Sequence, residues 1–257
     1  GTDRRAWQKQ SCSQTPTKLQ QRASARAPAA QHVAKLVRGG AALVEEVRRQ
    51  SPLPETADEL CAVANYLGAR NSDVHLGSGA TETNLKMLSE NGTLSRSRVI
   101  HFATHGLLAG ETEQMAKELA EPALIMTPPS KGDDKDDGLL SASEIAQLKL
   151  NADWVIMSAC NTAAGASTGA EALSGLAKAF IYAGARSLLV SHWYVSSSAT
   201  VDLVTTALSE MTREPRIGNA EGLRRAMSAL VAKGHLEDAH PTNWAPFVVV
   251  GEAASAR

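Results

Sequence analysis

Arg98-Val-Ile-His-Phe-Ala-Thr-His105-Gly106 decides the fold when it is set beside Trp154-Val-Ile-Met-Ser-Ala-Cys160-Asn-Thr162. Each begins as a short apolar run, the signature of a strand buried on both faces. Each then ends in a residue able to do chemistry, a histidine followed by glycine and a cysteine followed by a polar turn. In an open α/β sheet, groups at the carboxyl ends of neighbouring strands converge on one crevice. A thiol and an imidazole meeting there form a nucleophile and its base, because the thiolate is the reactive species and a nearby His favours it.

Outward from this pair, short apolar strands alternate with amphipathic helices, which predicts a mainly parallel sheet covered on both faces. Upstream, Leu60, Val63, Ala64 and Leu67 share one face of a helix over 56–67. Cys61 within it reads as a small core residue. Gly68 ends that helix, Asp73–Leu76 reads as a short strand, and residues 81–90 read as a second helix. Gly77-Ser-Gly79 lacks the Gly-Lys-Ser/Thr ending of a phosphate-binding loop. Between the two strands, Pro122–Thr127 is apolar enough for a strand. Residues 128–138, rich in Pro, Gly, Asp and Lys, read as an exposed and mobile loop. Ser141-Ala-Ser-Glu144 is a capping box.

Downstream, a helix carries Leu173, Leu176, Ala177 and Phe180 on one face and closes at Gly184. Ser187–Ser191 is another buried strand, running into His192-Trp193-Tyr194. A helix follows with Val201, Val204, Leu208 and Met211 in one stripe. Asn219 is placed to cap a last helix holding Leu223, Met227 and Leu230, and Trp244–Val250 supplies the final strand.

With 257 residues, 43% of them hydrophobic, the chain can bury one substantial core. A net charge of −1 gives no general pull toward nucleic acid or an anionic membrane. No run approaches the roughly 18 apolar residues of a membrane span, and no secretory leader opens the sequence. Cys12, Cys61 and Cys160 are far apart, odd in number and without CxxC spacing, which fits a reducing, cytoplasmic setting and no metal site.

Residues 1–50 stand apart. They hold ten Lys/Arg against three Asp/Glu, which leaves 16 against 24 for residues 51–257. Gln, Ser, Ala and Pro dominate residues 11–30, a composition that disfavours a packed core. This part reads as a basic flexible arm or linker, with a helix over 33–50 that places Val33, Leu36, Val37, Val44 and Val47 loosely on one side. Residues 51–257 form the second unit.

His-Phe-Ala-Thr-His-Gly (101–106), Ser-Ala-Cys-Asn-Thr (158–162), Gly-Leu-Ala-Lys-Ala-Phe-Ile-Tyr-Ala-Gly-Ala-Arg (175–186) and Trp-Ala-Pro-Phe-Val-Val-Val-Gly (244–251) resemble the CHAT domain. That is the caspase-like, separase-related cysteine peptidase domain often found with tetratricopeptide repeats. The resemblance spans about Leu53 to Glu252, with the motifs in the family's order. It implies an α/β caspase-like three-layer sandwich, a mostly parallel sheet flanked by helices. It also implies that His105 and Cys160 are the catalytic dyad. Their separation of 55 residues agrees with the roughly 50 of caspases.

The expected activity is a cysteine endopeptidase without cofactor or metal, acting on a protein or peptide substrate. Control by a regulatory protein or by upstream tetratricopeptide repeats is expected, since residues 1–50 are too short for such an array. The backbone N–H groups of Gly106 and Cys160 are candidates for the oxyanion hole. Candidate substrate contacts are Asn161, Trp193, Tyr194 and Ser196. Separase-like relatives carry an Asp after the Trp for a basic P1 residue; here serines follow, so the expected pocket is small or uncharged. His101, four residues before His105, should point to the same side of the strand, deeper in the sheet, as a satisfied core histidine. The readings that compete with a peptidase are a catalytically silent caspase-like scaffold and another Cys–His acyl-transfer enzyme.

Overall fold

A computed structural model describes residues 10–12, 40–50, 53, 55–107, 112, 121–130, 136–158, 169–193, 195–232 and 239–252. The Trp154 run forms strand β5 (Trp154–Met157), at most 1% exposed along its length. It lies between β1 (Val99–Phe102) and β6 (Ser187–Ser191), both parallel to it. The antiparallel β7 (Phe247–Gly251) closes the far side, in the order β1-β5-β6-β7. Continuous apolar runs such as Trp154-Val-Ile-Met suit these positions because both faces of the sheet are covered.

Alternate residues divide between the faces, as strand geometry requires. Val155, Met157, Leu188 and Val190 pack with Leu176 and Phe180 of helix α6 (Gly169–Tyr182). The same layer takes Leu85 of α3 (Glu82–Glu90), Leu94 of α4 (Thr93–Arg96) and Ile145 of α5 (Ala142–Ile145). On the opposite face, Trp154, Ile156 and Leu189 meet α2 (Glu55–Tyr66), α7 (Ser197–Arg213) and α8 (Asn219–Ala232). The expected three-layer α/β sandwich with a mostly parallel sheet is therefore the fold, the antiparallel β7 making the sheet mixed.

Local signals shape the helix ends. Thr81 caps α3 by accepting the Asn84 N–H, and Ser141 with Glu144 forms a reciprocal capping box on α5. Gly184 ends α6 at φ +110, where a Cβ would stand 2.4 Å from the Leu150 carbonyl oxygen. Only glycine fits there.

Other expectations are corrected. A second, antiparallel sheet is built from β2 (Gly106–Leu107), β3 (Ala123–Ile125) and β4 (Leu139–Ser141). Strand β3 falls within the expected 122–127 strand, whereas β2 and β4 are too short for a periodicity signal and are defined by their pairing. Helix α1 (Gly40–Arg49) lies within the expected 33–50 helix, and its buried Val47 packs on Leu107, Ala123, Ile125 and Leu139 of this sheet. Residues 33–39 are outside the described ones.

Asp73–Leu76 is not a strand: residues 71–73 form a 3-10 turn, and Val74 and Leu76 are extended without a described sheet partner. The final strand begins at Phe247 because Trp244 closes a 3-10 turn. Asn219 is the first helical residue, and its side-chain amide donates to Ser187 Oγ at 2.5 Å instead of capping. The acidic end of the 128–138 loop is anchored, with Asp136 6% exposed and bonded by the Thr83 hydroxyl at 2.6 Å. Cys12 and Cys61, 49 residues apart, form a disulfide. A tertiary contact joins cysteines that look unrelated in sequence, so their number and spacing say nothing about a reducing compartment. No described helix is long and apolar enough to cross a membrane.

Candidate active site

The two decisive strands lie side by side with their carboxyl ends together. Val99 pairs with Trp154 and Phe102 with Met157, and the pairing extends one step further through the Ser158 N–H donating to the Phe102 carbonyl at 3.2 Å. Strand β1 ends at Phe102, so His105 lies beyond it and shares no strand face with His101. The half-buried His105 enters β2, where its carbonyl accepts the Ile125 N–H at 2.8 Å.

That bond fixes the orientation of Gly106. With Gly106 opposite Leu124 and the His105 carbonyl bonded to Ile125, Gly106 occupies a non-hydrogen-bonded position of the antiparallel ladder. Its N–H therefore points away from β3, the only strand that β2 pairs with among the described residues, and the residue is buried. Cys160, Asn161 and Tyr194 lie outside the described residues. Trp193 is 40% exposed and its indole N–H donates to the Thr242 carbonyl at 3.1 Å. Ser196 caps α7, its hydroxyl accepting the Ala199 N–H at 3.3 Å.

A cavity of about 690 Å³ runs beside His105. Its walls are α2, residues 72–77, the Leu85 side of α3, β1 from end to end, and Ile125–Pro128. Trp193 and Ser196 do not line it.

A polar cluster that the sequence reading left unassembled sits where the two strands end. His101 Nε2 is 3.0 Å from Ser158 Oγ and 3.1 Å from Glu59 Oε1, while the Ser158 hydroxyl donates to that same carboxylate oxygen. Since the single Ser158 proton goes to Glu59, the donor count puts a proton on Nε2 of His101. Among the described residues, His101 Nδ1 is buried without a partner. Both side chains are deeply buried, His101 at 7% and Glu59 at 3% exposure. Glu59 was legible in part: it stands four residues before Val63, an acid on the apolar stripe of its helix.

Elsewhere, a second buried acid, Glu82, begins α3. Burial pushes its carboxyl up to about 7, against the pull of Lys86 at 2.9 Å. Among the described residues no group of three or more His, Cys, Asp or Glu could hold a metal ion.

The sequence matches the CHAT domain family model over residues 5–252. It is also similar to tetratricopeptide repeat protein 28 of Mus musculus, 25% identical over 227 residues, which are 78% of this chain and 9% of that protein. The Homo sapiens protein of the same name is 25% identical over 223 residues, covering 78% and 8%. The chain thus spans less than a tenth of the length of these curated relatives. The layered sheet agrees with a match running almost from end to end: the chain belongs to the CHAT domain family, a caspase-like family.

Proposed function

We propose that this chain is a cysteine endopeptidase in which His105 and Cys160 form the working dyad. One observation carries the reading. Each β1 residue pairs with the β5 residue 55 positions later (157 minus 102), and 55 positions also separate His105 from Cys160. Adjacent parallel strands that end together support the imidazole-bearing and thiol-bearing segments leaving from the carboxyl end of the sheet, the side on which such sheets do chemistry.

Cys160 Sγ attacks the peptide carbonyl, and His105 assists thiolate formation and then protonates the departing amine. Water hydrolyses the thioester with His105 as base, releasing the acid and restoring the thiol. The developing oxyanion takes hydrogen bonds from backbone N–H groups. That the Gly106 N–H is not used in pairing with β3 supports its place there, with the Cys160 N–H as second donor. Asn161, Trp193, Tyr194 and Ser196 are the proposed substrate contacts, and without a carboxylate among them the P1 pocket favours a small or uncharged residue. The relatives' name supports control by tetratricopeptide repeats or a regulatory protein outside this chain.

Wild type, Cys160→Ala and His105→Ala are compared on an unbiased peptide library under reducing conditions. Cleavage lost in both variants supports the dyad, and strict cleavage after Arg refutes the pocket. Where wild type is silent, labelling by a peptidyl fluoromethyl ketone decides. A Cys160 that reacts only with His105 present is a latent nucleophile, and an inert one sinks the peptidase reading.

A further inference from the structure

We infer that Glu59 and Ser158 are positioning residues for the Cys160 nucleophile, acting through the buried triangle they form with His101; this rests on the peptidase reading above. Ser158 is two residues before Cys160, is 3% exposed, and is held at every polar atom. Its N–H donates to Phe102 of β1 and its carbonyl accepts from the Ser191 hydroxyl of β6 at 3.4 Å. Its hydroxyl donates to Glu59 of α2 and lies 3.0 Å from His101 Nε2. Three strands and a helix therefore meet at the last described residue before the nucleophile.

The triangle is not a second catalytic triad. A relay uses both imidazole nitrogens, one toward the nucleophile and one toward the acid. Here Glu59 and Ser158 face the same Nε2, and Nδ1 has no partner among the described residues. At 3% exposure the Ser158 hydroxyl is also closed off from a substrate.

Stability alone does not account for the cluster either. Two and three residues back, the sheet faces carry Ile156 and Val155 at 0% exposure, in an apolar core. A well-packed apolar replacement for buried ionic groups is often neutral or stabilising. This cluster stands near the carboxyl ends of β1 and β5, on the way to His105 and Cys160. Directional hydrogen bonds constrain orientation there in a way that apolar contact does not, and a misplacement of about 1 Å in a reacting group can lower a rate on the order of 100-fold.

The test measures turnover per Cys160 thiol, titrated with iodoacetamide, in the full chain. Wild type, Ser158→Ala, Glu59→Ala, Glu59→Gln and His105→Ala are compared, with a melting curve for each. Ser158→Ala and Glu59→Ala are expected to lower kcat per titrated site on the order of 10- to 100-fold with KM within about twofold. Glu59→Gln keeps an oxygen acceptor for Ser158 and should restore most of that loss. If no peptide is turned over, the rate of Cys160 alkylation is read instead, with the same ordering of variants. A fall in melting temperature or titratable fraction with unchanged kcat per site, or unchanged alkylation rate, overturns the positioning role. Wild-type alkylation no faster than that of His105→Ala overturns the peptidase reading itself, and the positioning role with it. Should Glu59→Ala fail to fold, Ser158→Ala carries the test.

Discussion

Replacing Glu82 by Gln should abolish a specific loss of stability with rising pH. Glu82 is 1% exposed at the start of α3. Its Oε1 accepts the N–H of Gly138 at 2.6 Å and of Asp137 at 3.2 Å, and its Oε2 meets Lys86 Nζ at 2.9 Å. Burial outweighs these donors and raises the carboxyl from 4.5 to about 7. The folded protein thus holds this proton more tightly than the unfolded chain does. The stabilisation is complete below pH 4.5 and is lost as pH rises through about 7. A gap of about 2.5 pKa units at about 1.4 kcal/mol each gives a loss of about 3 kcal/mol.

Glutamine keeps the acceptor for Gly138 and cannot titrate, while Lys86 keeps Glu144 at 2.7 Å. Urea unfolding of both proteins at steps from pH 4 to pH 8 isolates this one group, because other titrations cancel in the difference. Wild type minus variant should fall by about 3 kcal/mol across the range. A flat difference would mean that the folded environment leaves the carboxyl unchanged. A rising one would mean that Lys86 and the two N–H donors win over burial. Either result refutes the reasoning.

Phe180→Ala empties a fully buried site in which the ring centroid lies 5.4 Å from that of Phe102, and chemical denaturation should show a loss of about 3–5 kcal/mol. Gly184→Ala forces a side chain into positive φ against the Leu150 carbonyl, so calorimetry should show a melting temperature lowered by the equivalent of about 3–5 kcal/mol. Asn219→Ala removes the donor to Ser187 Oγ and should cost about 1 kcal/mol in urea unfolding without changing the far-ultraviolet dichroism.

Much of the fold was legible because its signals are local. An apolar run such as Trp154–Met157 has one good environment, a strand covered on both sides. Thr81, Ser141 and Gly184 act on backbone groups within a few residues of themselves. The histidine and cysteine motifs were equally legible, since each follows directly on its strand. Strand β1 stops at Phe102 although Ala103 continues the apolar run, because the ladder to β5 does not continue there.

By itself, then, the sequence determined the layered α/β architecture, its principal strands and helices, and the two segments that carry the candidate dyad. Propensity, periodicity and capping operate over a few residues and are written in order along the chain. The tertiary structure alone decided what meets across it. Glu59 reaches Ser158 over 99 residues and His101 reaches Ser158 over 57. Cys12 finds Cys61, and β2, β3 and β4 become a sheet only by pairing with one another. Asp73–Leu76 has a strand's sequence but no described partner, because a strand is completed by hydrogen bonds from a neighbour that its own residues do not specify.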